Sequence, residues 1–382
     1  MGSFARAVHN FVQSGPLLME ASASGNLRVL TSLLGPAYRG LVLEGGKGSD
    51  CTQMPAAHQA HFDWGYLRDH APLARLYEAA KTAQWNSTRD LDWTTQVDPA
   101  HPGRRLVPDE FHPVFGTPHW DKLTATERTA QLHAVLAWVL SQFLHGEQGA
   151  LFAACQVTEA VPWLDAKLYG SSQVVDEGRH VEVFHAYLTE KLNKLYQIND
   201  NLFTIIDALM TDGRWDVKFL GMQILIEGLA LGAFGALRQM TAEPLLRQLL
   251  TYVITDEARH VHFGVLALEE AASQLSTAEH REREDWAFQM ALLMRNRFLA
   301  HEFYEEYWAH AMNRKAWDAL VLASPFMNLF RQTMFKRVVP NLKRIGLLSP
   351  RIRPRYEALG LLAFENLKSA PDLTAKDLLE DA

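Results

Sequence analysis

The sequence predicts an all-α protein built around a four-helix bundle, on three observations. Apolar residues recur at helical spacing over long segments, and no stretch shows the two-residue alternation of a half-buried strand. A five-residue motif, Asp176-Glu177-Gly178-Arg179-His180, returns later in the chain as Asp256-Glu257-Ala258-Arg259-His260. Each copy follows a lone acid in an apolar segment, and Glu147 stands as far before Glu177 as Glu227 stands before Glu257.

The spacing fixes a geometry. Glu and His three apart on a helix share a face, about 60° apart around the axis. The midpoint of the first unit is Pro162, and that of the second lies in Met240-Thr241-Ala242-Glu243-Pro244. Proline stops helices, so each unit should fold as a helical hairpin with its lone Glu level with its Glu-x-x-His. Two such hairpins packed together bring four carboxylates and two imidazoles to one place, the ligand set of a dimetal carboxylate site. Four carboxylates match the charge of two divalent cations, and without cations their burial would be very costly. An oxygen-rich set with imidazoles and no thiolate suits iron or manganese. The reading assigns Glu147, Glu177 and His180 mainly to one ion and Glu227, Glu257 and His260 mainly to the other, with some glutamates bridging. No catalytic residue beyond these ligands stands out. Asp176 and Asp256 are placed to accept the second ring N–H of a ligand imidazole, and Arg179 and Arg259 to hold those acids by charge-assisted hydrogen bonds.

The duplicated Glu-x-x-His with upstream glutamates, over roughly residues 124–270, resembles the ferritin-like di-iron carboxylate oxidase and oxygenase superfamily. The form Asp-Glu-x-Arg-His is most similar to multicomponent monooxygenase hydroxylases and soluble acyl-carrier-protein desaturases. The resemblance implies a ferritin-like bundle and two iron ions, or a manganese–iron pair, with dioxygen as co-substrate. It implies hydroxylation, desaturation or N-oxygenation of a small organic substrate in an apolar pocket, with Phe143, Leu151, Leu231 and Phe234 as wall candidates. The partners implied are a reductase or ferredoxin as electron donor, an acyl carrier protein, and a second copy in a homodimer. It also implies that Asp176 holds His260 and Asp256 holds His180. The chain departs from two patterns. Leu231 stands where the hydroxylases often have threonine, and Val253 where arylamine N-oxygenases have an extra histidine.

Composition bounds the rest. The chain has 382 residues, 48% of them hydrophobic, enough for a large core. A net charge of −7 does not suggest a nucleic-acid partner. Cys51 and Cys155 make no metal or disulfide pattern, and no signal-peptide pattern opens the chain, so a cytoplasmic setting is expected. Residues 219–237 carry one charge, Glu227, over a length that could span a bilayer. Gln223, the glycines and the place of Glu227 in the repeat favour a buried bundle helix instead, with no membrane association.

In chain order, residues 1–45 read as short helical pieces broken at Gly15, Gly25, Gly35 and Gly40, and 45–50 as a glycine-rich loop without P-loop spacing. A helix is expected over 71–82, where Leu73, Leu76, Tyr77 and Ala80 share a face. Trp85 and Trp93 bracket an acidic, turn-rich segment that is similar to a Trp-bearing lead-in of some di-iron N-oxygenase-like proteins; the reading preferred is that they anchor an irregular segment on the bundle. Residues 94–120, with five prolines, form an extended connection whose His101, His112 and His119 read as surface or turn residues. Thr124-x-x-Glu127 is a capping box that opens the bundle. Within 129–158 Glu147 is the only charged side chain apart from histidines, and His133 or His145 is its alternative partner.

Further bundle helices are expected over 173–197, 215–239 and 244–273, and others over 283–312, 315–340 and 353–369. The four-helix core thus spans about 124–273 of a single domain covering 1–382, with an N-terminal extension over 1–123 and C-terminal helices over 280–382. Arg351, Arg353 and Arg355 make a local basic patch, solvated or open to an anionic partner. A competing Glu-x-x-His, Glu182 to His185, has no counterpart at the offset that relates the two motifs. Two other readings stay open: an iron-binding or ferroxidase protein without an organic substrate, and a metal-free helical scaffold with buried ion pairs.

Overall fold

The computed structural model describes residues 3–22, 25–101 and 104–379, and among these there is no strand. Helices α1 (Ser3–Ser22), α2 (Leu27–Ala37) and α3 (Ala71–Thr82) lead into α4 (Ala125–Ala160), α5 (Leu164–Ala186), α6 (Asp200–Thr211), α7 (Trp215–Met240) and α8 (Pro244–Ala272). Helices α9 (Thr277–Asn296), α10 (His301–Tyr307), α11 (Arg314–Ala323) and α12 (Pro325–Phe335) follow, then short helical turns.

The expected hairpins are present, and local chemistry explains their ends. The Thr124 side chain takes the Glu127 backbone N–H while the Glu127 carboxylate takes that of Thr124, so the capping box starts α4. The turn at 161–163 contains Pro162 and joins α4 to α5. Helix α5 begins at Leu164, well before the expected start at 173, because one turn suffices to reverse the chain at the proline. It runs through a π turn, Tyr187–Lys191, and so stops short of 197. Glu243 caps α8 by accepting from the backbone N–H groups of Leu245 and Leu246, with Pro244 as the first helical residue. The Tyr187 hydroxyl donates to Glu243 at 2.8 Å, tying the start of α8 to the end of α5. The Asn199 side chain accepts from Asn201 N–H and starts α6.

Helix α7 changes pitch. It is α-helical over Trp215–Phe219, a π-helix over Leu220–Ile226, and α-helical again from Glu227. The π segment aims Glu227 inward at the point where regular pitch resumes, in keeping with the association of such segments with functional sites. Helix α7 is long and apolar enough to cross a membrane, but 94% of its most apolar window is buried in protein, as a core helix requires.

Several boundaries differ from the sequence reading. Helix α1 passes through Gly15, and Gly35 and Gly40 lie in continuous helix. At Gly40 the reason is close approach: a Cβ would stand 2.1 Å from the Thr204 hydroxyl of α6. The helix expected over 283–312 is broken at Ala300, whose φ is +52°. That over 315–340 is interrupted at Ser324, which caps α12. That over 353–369 ends early, before Gly360 at φ +71°. His112 is fully buried rather than at the surface. Its Nδ1 accepts from Val114 N–H, its other nitrogen meets Gln131 Oε1 at 3.0 Å, and Trp120, Phe303 and Trp308 enclose it. Burial lowers its pKa to about 4. The basic patch is also not free: Arg351 pairs with Glu284 and Asp285, Arg353 with Glu365, and Arg355 with Asp285.

Two positions test the packing. Gly232 on α7 lies against α12, and a Cβ there would stand 2.8 Å from the carbonyl oxygen and 2.9 Å from the Cα of Met334. Backbone cannot yield as a side chain can, so Gly232→Ala should destabilise the protein by about 1–3 kcal/mol. Urea unfolding checks this, and an unchanged midpoint refutes it. Lys218 is fully buried, and its ammonium donates to Leu209 O at 2.7 Å, Met210 O at 3.3 Å and the Gln156 amide oxygen, closing the C-terminal end of α6. Burial lowers its pKa from 10.5 to about 8. The folded state therefore releases this proton first, and its contribution to stability rises with pH from about 8 towards 10.5. Unfolding midpoints measured across that range should rise for wild type relative to Lys218→Met; parallel curves would contradict the assignment.

Candidate metal centre

Four helices each supply one carboxylate to the centre of the bundle: Glu147 from α4, Glu177 from α5, Glu227 from α7 and Glu257 from α8. Helices α5 and α8 add His180 and His260, one turn beyond their glutamates. None of the six residues is more than 4% exposed. Their donor atoms form two groups, each with all atoms within 4.8 Å of one another. One group is Glu147, Glu177, His180 and Glu257; the other is Glu177, Glu227 and His260.

The Nδ1 atoms of both imidazoles face the carboxylates. His180 Nδ1 is 3.2 Å from Glu147 Oε2, 3.2 Å from Glu257 Oε1 and 3.5 Å from Glu177 Oε2. His260 Nδ1 is 3.0 Å from Glu177 Oε1 and 3.6 Å from Glu257 Oε2. Glu177 and Glu257 thus each turn one oxygen to either imidazole, whereas Glu147 and Glu227 lie on opposite sides. In place of the near-symmetric division of the sequence reading, two carboxylates face both imidazoles and two belong to one group each.

The outer nitrogens are held across the bundle. His180 Nε2 lies 3.2 Å from Asp256 Oδ2, and His260 Nε2 lies 3.3 Å from Asp176 Oδ2. A proton on Nε2 shared with a carboxylate leaves the Nδ1 lone pair facing inward. Arg179 donates to Asp176 and, at 3.1 Å, to Asp256. Arg259 donates to Asp256 and stands 3.6 Å from Asp176. Two aspartates, two arginines and two histidines therefore form a crossed frame around the six donors.

The electrostatics oppose one another. Burial, reinforced by Glu257, pushes the Glu147 carboxyl well above its ordinary range, and burial with Glu177 does the same to Glu227. Burial also raises Glu177, but the imidazoles of His260 and His180 outweigh it and hold that group low. Burial disfavours charge on both imidazoles, yet the surrounding carboxylates raise their pKa values. The donor set is one that two divalent cations fit. Glu177 Oε2, Glu227 Oε2, both oxygens of Glu257 and His260 Nδ1 are buried with no hydrogen-bond partner. Clustered bare oxygens and an imidazole nitrogen are what a hard or borderline cation takes up, which rationalises their burial.

Other candidates lie apart. Glu182 and His185 are exposed, with Glu182 accepting from Ser87 at 2.6 Å. His133 and His145 meet the carbonyl oxygens of Leu192 at 3.0 Å and Tyr196 at 2.8 Å, so neither partners Glu147. Of the wall candidates, Phe143, Leu231 and Phe234 are buried and Leu151 is half-buried. Phe143 packs edge-on against Phe234 at 4.7 Å, with Phe184 stacked on Phe234 at 5.5 Å.

The sequence reading missed four supports. The Trp85 indole N–H donates to Asp256 at 2.8 Å, with Arg179 over its ring. The Gln84 amide donates to Asp176 at 3.0 Å and accepts from Arg179 at 2.8 Å. The Gln173 amide donates to Glu227 at 2.8 Å and Glu177 at 3.2 Å. The Tyr169 hydroxyl is buried without a partner, and burial raises its pKa, with His260, Arg259, Asp176 and Glu227 near enough to act on it. Gln173 and Tyr169 stand one and two turns before Glu177, on its helix face, a signal the sequence did hold. Nothing local marked Gln84, and Trp85 was read only as an anchor on the bundle; both reach the site because α3 packs on α5 and α8.

No family model matches the chain, and no curated protein does. Among solved structures, a variant of an R2-like ligand-binding oxidase with an aerobically reconstituted Mn/Fe cofactor is similar at 19% identity and a TM-score of 0.47. The match covers 74% of this chain and 95% of that one. Another variant, with an anaerobically reconstituted Mn/Fe cofactor, shows 19% identity and a TM-score of 0.43 over 70% of this chain and 94% of that one. A likeness at this level says nothing of what this chain binds or does.

The crossed frame should reveal itself without any cation. Arg179→Met leaves Asp176 and Asp256 with less compensating charge in a buried setting, and should cost about 3–5 kcal/mol in the metal-free protein. Denaturation in the presence of a chelator measures this; a loss below about 1 kcal/mol would place the arginine outside the frame.

Proposed function

We propose that this chain is a non-haem dimetal oxidase that activates dioxygen at a carboxylate-bridged pair of iron ions, or a manganese–iron pair, to oxidise a small organic substrate. The observation that supports the reading above all is the cluster of bare, buried donor atoms from four helices, enclosed by the crossed Asp–Arg–His frame. Glu147, Glu177, His180 and Glu257 would hold one ion, and Glu177, Glu227, His260 and Glu257 the other.

When bound, such a pair supplies electrons to dioxygen and stabilises the reduced oxygen as it reacts. The protein does the rest. Asp256 and Asp176 fix the imidazole orientations, and Arg179 and Arg259 hold both aspartates in place beside them. Burial of all six donors excludes bulk water, and the ring wall of Phe143, Phe184 and Phe234 beside Glu147 gives an apolar substrate a dry neighbourhood. In hydroxylation one oxygen atom enters a C–H bond and the other leaves as water; a reductase or ferredoxin supplies two electrons and solvent two protons. Desaturation and N-oxygenation draw on the same oxidant. An acyl carrier protein as substrate carrier, a homodimer and a cytoplasmic setting belong to this reading.

The purified chain should bind about two iron(II) ions anaerobically, and exposure to oxygen should consume dioxygen and produce near-ultraviolet absorption. Glu177→Ala, which removes a bridge, should bring the ion content to one or fewer per chain while helicity by circular dichroism is retained. Elemental analysis near zero for wild type after loading would reject the dimetal reading. Uptake far beyond two ions would favour iron storage.

A further inference from the structure

The duplicated hairpin should create two equivalent ion positions, yet the side chains around them differ. This inference rests on the dimetal reading above. The residues one turn before Glu147, Glu177, Glu227 and Glu257 are Phe143, Gln173, Gln223 and Val253. Two glutamines therefore stand beside Glu177 and Glu227, and two apolar residues occupy the equivalent places.

Gln173 is fully buried. Its Nε2 donates to Glu227 Oε1 at 2.8 Å and to Glu177 Oε1 at 3.2 Å. Its own oxygen lies 3.5 Å from Gln223 Nε2, which selects the orientation in which the NH2 group faces the carboxylates. Gln223 cannot swing away, because Gly264 of α8 lies against its stem; a Cβ on that glycine would be 2.4 Å from the Gln223 Cβ. One Glu227 oxygen is thus taken by an amide and the other, Oε2, has no partner. The shorter bond turns Glu227 Oε1 toward the amide and leaves Oε2 as the unpartnered atom, whereas the longer 3.2 Å contact leaves Glu177 Oε1 facing His260 Nδ1 at 3.0 Å. Glu147 has Phe143 in the corresponding place and meets His180 Nδ1 directly at 3.2 Å. The two positions are not equally close-knit either: Glu257 stands 3.2 Å from His180 Nδ1 but 3.6 Å from His260 Nδ1.

We propose that Gln173 is a positioning residue that keeps Glu227 monodentate, so that the ion held by Glu177, Glu227 and His260 is the one that takes the exogenous ligand, dioxygen or a small anion of similar size. The Gln173–Gln223 pair makes the two ion positions chemically distinct within a symmetric backbone. The position beside Phe143 is the structural one of the pair.

Azide serves as the probe. Wild type, Gln173→Leu and Gln223→Leu are loaded with iron, oxidised and titrated with sodium azide, following the azide-to-iron charge-transfer band with ion content measured in parallel. In Gln173→Leu, Glu227 is free to chelate with both oxygens, so azide affinity should fall about ten-fold or more while about two ions per chain remain. Gln223→Leu keeps the amide but frees it to rotate, and should lie between, at about a two- to three-fold loss. Unchanged azide affinity in both variants overturns the proposal, and so does loss of an ion from Gln173→Leu, which would make Gln173 a prop for the ion itself. If Gln173→Leu does not fold, Gln173→Met and Gln223→Leu decide the matter by the same readings. Wild type that binds no iron sinks the dimetal reading together with this one, an outcome that ion content separates from a purely negative azide titration.

Discussion

The constraint on which the structure depends is the mutual repulsion of four carboxylates in a water-free core. Nothing in an apolar bundle favours that arrangement, and bare buried oxygens are costly to a fold. The frame of Asp176, Asp256, Arg179 and Arg259 answers part of the problem by fixing the imidazoles from outside. It leaves the inner oxygens without partners. The cation pair proposed above would offset that cost.

The rest of the molecule holds that spot still. The hairpins α4–α5 and α7–α8 set the level of each donor, and their ends are sealed by the Thr124–Glu127 box and by Glu243. The π segment of α7 re-phases the helix just before Glu227. The extension before the bundle is part of the site's support, since α3 delivers Gln84 and Trp85 to the two aspartates. Proton positions, ring orientations and access to the donors are thereby set by groups that touch no ligand, the usual division of labour around a metal.

Chemical asymmetry is laid over this symmetric frame. Glutamines stand beside Glu177 and Glu227, while a ring wall built on Phe143 stands beside Glu147. Backbone duplication provides two similar cradles, and single side chains one turn away distinguish them. On the dimetal reading proposed above, such a division would let one ion position stay saturated while its neighbour exchanges ligands.

The sequence by itself determined the helical class, the hairpins and which six donors and two aspartates meet, because the motif repeat and the proline breaks are periodic, local signals. It also held, unread, the place of Gln173 one turn from Glu177. Only the tertiary structure decided that Glu177 and Glu257 are the shared carboxylates, that His112 is buried, that Ala300 and Ser324 break the C-terminal helices, and that Trp85 reaches Asp256. Those outcomes depend on contacts between residues far apart in the chain, such as the 171 residues between Trp85 and Asp256. Helical periodicity tells which face a side chain occupies, but not which distant surface will press against it.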